Sequence, residues 1–285
     1  MAENSKIEWT DATFNPWIGC QKVGPGCDHC YAEAMMDARL GRVEWGPHGS
    51  RSRTSASYWR KPLAWDRAAA KAGKRTRVFC ASLADVFDNH ASILPEWRAD
   101  LWALIRATPH LDWMLLTKRP GNIAAMLPPD WGAGYPNVWL GCTVVNQAEA
   151  DRDIPKLLAV PAAVRFLSME PLLGPVDLGS PVRAALFAGK IAPGGGDGTK
   201  PLAWVIVGGE SGPGARPMHP DWARSLRDQC VAAGVAFFHK QNGEHAWVER
   251  VEGDPATLTP YRIGKKAAGR FLDGRTWDQM PGAAG

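Results

Sequence analysis

Short runs of apolar residues alternate along the chain with longer stretches in which apolar positions recur every three or four residues. The short runs read as strands and the long ones as amphipathic helices. Strands are expected at Arg77–Cys80, Asp112–Leu116, Asn137–Gly141, Val164–Leu167, Ala203–Val207 and Val235–Phe238, and each is almost wholly apolar. That is the pattern of parallel strands covered on both faces. Helices are expected at Pro95–Ala107, Gln147–Leu158 and Pro220–Ala233, with Asp221 as an early carboxylate near a helix start. The repeated order of strand then helix predicts an α/β fold with a mostly parallel sheet. A further strand over Thr13–Ile18 would bring the total to six or seven, a partial (β/α) barrel rather than a closed ring of eight.

The domain expected from this pattern spans residues 1–245 and includes the cysteine-rich loop. Residues 246–285 form a C-terminal extension packed on it, in which Asp273–Asp278 makes a turn and short hairpin with Leu272 and Trp277 docked. Ala192–Lys200 is Gly-rich without the spacing of a phosphate-binding loop and reads as a surface insertion. Pro281–Gly285 is expected to be a mobile tail.

In β/α barrels the residues just past the strand C-termini line the active site. Those positions carry Ser82 and Asp85, Thr117, Lys118 and Arg119, Thr143 and Asn146, Ser168 and Glu170, Glu210 and Ser211, and Lys240, Gln241 and Asn242. Strand ends meet solvent and are often polar, so the set gains weight from being polar at every end.

Composition changes the picture little. The chain has 285 residues, 45% hydrophobic and 22% charged, the balance of a folded globular protein. No secretory leader pattern opens it and no apolar run approaches a membrane span, so a cytoplasmic protein without membrane partners is expected. A net charge of +4 mildly favours anionic partners. Among fourteen tryptophans, Trp9, Trp17, Trp45, Trp59 and Trp65 fall in the first quarter beside Arg51, Arg53, Arg60 and Lys61. Core packing is the plainer account of these rings, and a basic, aromatic surface for nucleic acid is the alternative.

The strongest local signal is the segment from Asn15 to Glu33, where Cys20, Cys27 and Cys30 sit in a Gly/Pro-rich loop. Two thiolates at C-x2-C spacing can share one metal, and the glycines let Cys20 join them. Cys80, Cys142 and Cys230 are isolated, and Cys80 and Cys142 lie in apolar strands where a buried thiol is ordinary. In a reducing compartment metal binding outranks a disulfide. Structural zinc would need a fourth ligand such as His29 or His48, whereas three thiolates on a 4Fe-4S cluster leave one iron open for a ligand.

Set at the mouth of a β/α barrel, this loop resembles that of the radical S-adenosylmethionine superfamily. The stretches Ile7–Pro16, Gly26–Glu33, Leu167–Leu172 and Val207–Gly212 are similar to a family of phage- and prophage-encoded proteins placed near that superfamily. The spacing C-x6-C-x2-C departs from the usual C-x3-C-x2-C. His29 stands where an aromatic commonly touches the adenine, and Gly208-Gly209-Glu210 follows a late strand rather than an early one.

The resemblance implies a 4Fe-4S cluster on Cys20, Cys27 and Cys30, and S-adenosylmethionine cleaved to a 5'-deoxyadenosyl radical with an electron from an external donor. His29, Tyr31, Ser82, Thr117, Asn146, Ser168, Glu170 and Glu210 are then the expected cofactor contacts, with Glu170 or Glu210 on the methionyl ammonium. Asp85, Lys118, Lys240 and Gln241 are the expected substrate contacts. The implied substrate is a nucleic-acid base or nucleotide, as in phage DNA modification, with a lesion-repair lyase as the enzymatic alternative. A zinc-stabilised nucleic-acid-binding module is the rival from another class, and a simple electron carrier a third reading.

Overall fold

All six strands expected between residues 77 and 238 form in the computed structural model, which describes residues 5–180, 182, 202–249 and 258–282, and each ends within three residues of its expected limits. They are β4 (Thr76–Cys80), β5 (Leu111–Thr117), β6 (Val138–Thr143), β7 (Val164–Met169), β8 (Trp204–Gly208) and β9 (Ala236–Gln241). With β1 (Ala12–Thr13) they make a seven-stranded sheet in the order β1-β4-β5-β6-β7-β8-β9. Registers such as Phe79↔Met114 and Leu167↔Val205 are parallel. The fold is α/β, and the edge strands β1 and β9 are not paired with each other, so the sheet is a partial (β/α) barrel rather than a closed one.

The strand expected over Thr13–Ile18 divides in two. β1 pairs with β4 through Ala12↔Val78 and Thr13↔Phe79, while β2 (Trp17–Ile18) pairs antiparallel with β3 (Ser52–Arg53). Pro16 lies between them. It has no N–H to give to a ladder, and its carbonyl accepts from Thr54 N at 3.1 Å.

The helices run Lys61–Ala72, Pro95–Arg106, Gln147–Leu158 and Pro220–Ala233. Local chemistry sets their ends. Pro220 starts the last one behind His219, whose ring accepts from Asp221 N, and Gly234 stops it at φ 63°. Asn146 Oδ1 accepts from Glu149 N at 3.0 Å and so caps the third.

The chain forms two compact units, residues 1–142 with 159–165, and residues 143–158 with 166–285. In the first, Phe14 stacks on Tyr58 at 5.1 Å and meets Trp113 edge-on at 5.5 Å. Trp9, Trp17 and Trp65 are buried there, so these three rings are core. Trp59 is half-buried, with the Arg53 guanidinium 4.5 Å from its ring centre. In the second unit Phe166, Trp204 and Phe237 are fully buried between strands and helices.

The second unit also holds an antiparallel hairpin of β10 (His245–Glu249) and β11 (Leu258–Arg262), which the apolar pattern does not announce. Further on, Leu272 pairs with Arg275 and is buried, and Trp277 meets Phe237 edge-on at 5.9 Å, in keeping with the expected docked turn. Ala192–Lys200, the acidic and basic residues from Arg250 to Asp254, and residues 283–285 lie outside the described residues. No helix among the described residues is long and apolar enough to cross a membrane.

Candidate active site

The cysteine loop is tied to the first unit at its start by two backbone bonds. Gly19 N donates to Leu83 O at 3.0 Å, and Gly46 N donates to Cys20 O at 2.9 Å. Gly19 has φ 110°, and a Cβ there would come within 3.1 Å of Arg51 Cδ, so only glycine turns the chain here without strain. Pro25 opens a single 3-10 turn that ends at Cys27, and Cys30 caps the helical stretch that begins at Tyr31. Ala32 and Met36 on that stretch are buried with Ile18 and Leu83, and Cys30 packs against the same cluster. The loop is therefore fastened to an apolar patch, with its thiols at the margin.

Behind Cys20 lies a buried set of charges. Asp85 follows β4 and accepts from Thr117 Oγ1 at 2.7 Å, from Lys118 N at 3.0 Å and from Arg119 Nη1 at 3.0 Å. Asp88 pairs with Arg51 at 2.9 Å, both side chains being wholly buried, and lies 3.7 Å from Arg119 Nε. Arg119 reaches outward too, donating to Cys20 Sγ at 3.4 Å and to Gln21 O at 3.1 Å. Burial pushes the Cys20 thiol up to about 11; Arg119 pulls it down, while Asp85 and Asp88 add to the rise. Burial alone would lower Arg119, yet Asp85, Cys20 and Asp88 around it hold it above its ordinary value.

All six cysteines are free thiols. Burial raises Cys80 and Cys230, the latter to about 12, which marks them as inert core thiols. Cys27 is buried and Cys20 and Cys30 are half-buried. Three thiols on one loop are the donor set of a soft metal or an iron-sulfur centre, and the guanidinium at Cys20 suits a sulfur that carries negative charge. Among the described residues, no three His, Cys, Asp or Glu side chains are drawn together as ligands. The donors fit such a centre by chemistry and by loop, and gathering them requires the loop to close around it.

The other strand-end residues divide between the two units. In the first, Tyr31 OH donates to Ser82 O at 2.6 Å, and Ser82 Oγ accepts from Asn15 Nδ2 at 3.1 Å. His29 is exposed. Among the described residues the Lys118 side chain has no partner; its neighbour Arg119 turns inward instead.

In the second unit Glu170, after β7, receives Lys240 Nζ at 2.7 and 2.8 Å and Gln241 Nε2 at 3.0 Å. Burial would raise the Glu170 carboxyl, but Lys240 and Gln241 outweigh it and hold it below the ordinary carboxylate value. Lys240, one of the expected substrate contacts, is here paired with Glu170. Gln241 is buried, and its Oε1 has no hydrogen-bond partner among the described residues. Ser168 is buried nearby in sequence, and Asn146 spends its oxygen on a helix cap.

Glu210 is occupied differently. Arg216 donates to it from Nη2 at 2.6 Å, from Nε at 2.8 Å and from its backbone N at 2.8 Å. Of the two glycines before it, Gly209 allows close backbone approach, since a Cβ there would fall 2.4 Å from Asn242 O, and Gly208 sits against the Glu170 side chain, 3.3 Å from where its Cβ would be. Gly209 N donates to Gln241 O at 3.0 Å. The Gly-Gly-Glu stretch is thus held by close approach at the glycines and by an ion pair at Glu210.

Arg51, Asp88 and Arg119 form the most buried charge network around the loop and were not singled out by spacing. In the sequence Arg119 stood at a strand end next to Lys118, and Arg51 among the first-quarter basic residues of a possible surface, whereas the structure buries Arg51 against Asp88, which carried no signal.

No curated protein matches the chain. Among solved structures, a cysteine-to-serine variant of spore photoproduct lyase superposes with a TM-score of 0.44 at 12% identity, over 91% of this chain and 71% of that one. A doubly substituted variant of the same lyase, with bound AdoMet and dinucleoside spore photoproduct, gives 0.44 at 10% identity over 89% and 69%. A tyrosine-to-phenylalanine variant gives 0.42 at 11% identity over 86% and 66%. Residues 4–281 match the family described as "Protein of unknown function (DUF5131)", and with nearly the whole length covered, the chain belongs to that family.

Proposed function

We infer that the protein is a radical S-adenosylmethionine enzyme whose cysteine loop holds a 4Fe-4S cluster through Cys20, Cys27 and Cys30, and that it acts on a nucleic-acid base or nucleotide. The observation that carries this is the loop itself: three free thiols, with a buried, doubly anchored guanidinium against the first of them. When bound, such a cluster supplies the electron that cleaves S-adenosylmethionine.

The chain's own residues have separate tasks. Cys20, Cys27 and Cys30 are the ligands, and Asp85 and Thr117 hold the guanidinium behind them. In the second unit Glu170 offers an ionised carboxylate, and Gln241 Oε1 offers a buried acceptor lacking a donor. The Gln241 acceptor suits a ligand ammonium or exocyclic amino group, whereas the Glu170 and Glu210 carboxylates are already engaged, by Lys240 with Gln241 Nε2 and by Arg216, so a ligand cation would have to compete with those partners. Exposed Arg60, with Trp59 and an Arg53 that is paired to Asp100 at 2.6 Å, offers a small aromatic and basic patch for a polyanionic substrate.

The test is formation of 5'-deoxyadenosine from S-adenosylmethionine by anaerobically reconstituted, reduced protein. The wild type should release it and a Cys30→Ala variant should not. Equal release by both would remove the cysteine loop from the chemistry.

A further inference from the structure

We propose that Arg119 is the positioning residue of the cysteine loop: anchored from behind by Asp85 and Asp88, it fixes Cys20 and the Gln21 carbonyl in the place from which the loop closes on a metal.

Four contacts of one side chain define this role. Nη1 donates to Asp85 Oδ2 at 3.0 Å and to Cys20 Sγ at 3.4 Å, Nη2 donates to Gln21 O at 3.1 Å, and Nε faces Asp88 Oδ1 at 3.7 Å. The Arg119 side chain is only 8% exposed. A guanidinium is a rigid fork, so carboxylates at its back fix the direction in which its front points. The carboxylates are themselves fixed. Thr117 Oγ1 and Lys118 N hold Asp85, and the buried Arg51 holds Asp88. The chain of restraint thus runs from β5 through Asp85 and Arg119 to the loop.

The restraint is selective. Cys20 is held by a side chain from a distant strand end, whereas Cys27 lies in a local turn and Cys30 caps a helical stretch. Arg119 accordingly holds one ligand directly, while Cys27 and Cys30 are placed by their own local backbone. It also donates to the sulfur whose negative charge grows on metal binding, as outer-shell donors do at metal sites.

This inference rests on the loop being a metal site, and the experiment separates the two. Arg119→Lys keeps a cation for Asp85 and Asp88 but loses the fork; Arg119→Gln removes the charge as well. Metal-free wild type and both variants are compared by hydrogen exchange, read at Gly19 and Gly46, whose amides bond on either side of Cys20. Each is then titrated anaerobically with Co²⁺, followed by thiolate-to-cobalt absorption. Arg119→Lys should lose protection at Gly19 and Gly46 while keeping it in β5, and should bind Co²⁺ on the order of 10 to 100 times more weakly.

Unchanged exchange and affinity in Arg119→Lys would overturn the proposal. So would loss of protection throughout β4 and β5, which would make Arg119 a general brace. If the wild type itself takes up no Co²⁺ and no iron, the metal reading of the loop falls, and the exchange at Gly19 and Gly46 alone decides whether Arg119 positions Cys20.

Discussion

Removing the Asp88 carboxylate should be among the most damaging single changes in the first unit. Asp88 and Arg51 pair at 2.9 Å with both side chains at 0% exposure, and Arg51 Nη2 already lacks a partner. In Asp88→Ala the guanidinium keeps only the carbonyls of Gly46 and Gly49, and a buried cation is left without its counter-charge. Breaking a buried pair from one side destabilises by about 3 to 5 kcal/mol, set against a total stability on the order of 5 to 15 kcal/mol. Replacing both members removes the unpaired charge, so Arg51→Met with Asp88→Leu should lose much less than the two single changes added together. By contrast, Asp100→Ala, at the exposed Arg53–Asp100 pair, should change stability by no more than about 1 kcal/mol. Urea unfolding followed by tryptophan fluorescence and circular dichroism gives the free energies. A loss below about 1 kcal/mol for Asp88→Ala, or strict additivity in the double variant, would refute the view that this pair is buried and coupled.

Other consequences can be checked separately. With its thiol raised to about 11 from 9.0, Cys20 in metal-free protein has a roughly 100-fold smaller thiolate fraction than an unperturbed cysteine. Iodoacetamide at pH 8 followed by peptide mass spectrometry should therefore modify it correspondingly slowly, and alkylation at the rate of a free thiol would contradict this burial. Glu170 is held below its ordinary value of 4.5, so the folded state binds fewer protons there than the unfolded chain. Its contribution is present above about pH 4.5 and fades as pH falls through the depressed value, so Glu170→Gln should show a shallower acid loss of stability between pH 5.5 and 3. Identical slopes for the two proteins would rule that out. Gly209→Ala places a methyl 2.4 Å from Asn242 O and should lower the melting temperature by several degrees, at about 1 to 3 kcal/mol for overpacking. An unchanged melting temperature would mean the two backbones are not in close contact.

Much of the fold was legible because both faces of β5 and β8 are buried, so Leu111–Thr117 and Trp204–Gly208 stand out as apolar runs. Pro220 and Gly234 marked helix ends in the same direct way. The division of the Thr13–Ile18 segment hinged on Pro16, whose missing N–H weighs more than the apolar pattern around it. The β10–β11 hairpin was hidden because its strands are mixed in polarity and β11 contains Pro260.

The site was legible in its residue types and not in its pairings. Cysteine spacing found the loop, and strand ends found Asp85 and Thr117. Nothing in adjacent Lys118 and Arg119 says which side chain turns inward; that depends on Asp85 and Asp88, more than thirty positions earlier in the sequence. The Glu170–Lys240 pair joins positions 70 apart, and the Arg51–Asp88 pair positions 37 apart, which no local pattern encodes. For the first-quarter tryptophans core packing was the plainer reading, and burial places Trp9, Trp17 and Trp65 in the core.

The most direct measurement is an optical and EPR spectrum of the protein, purified and reconstituted with iron and sulfide under anaerobic conditions, reduced, and recorded with and without S-adenosylmethionine. The account predicts a brown protein with a reduced-cluster EPR signal that changes when S-adenosylmethionine is added, and that is lost in a Cys20→Ala, Cys27→Ala, Cys30→Ala triple variant. A colourless protein holding stoichiometric zinc, or a cluster signal indifferent to S-adenosylmethionine, would contradict it.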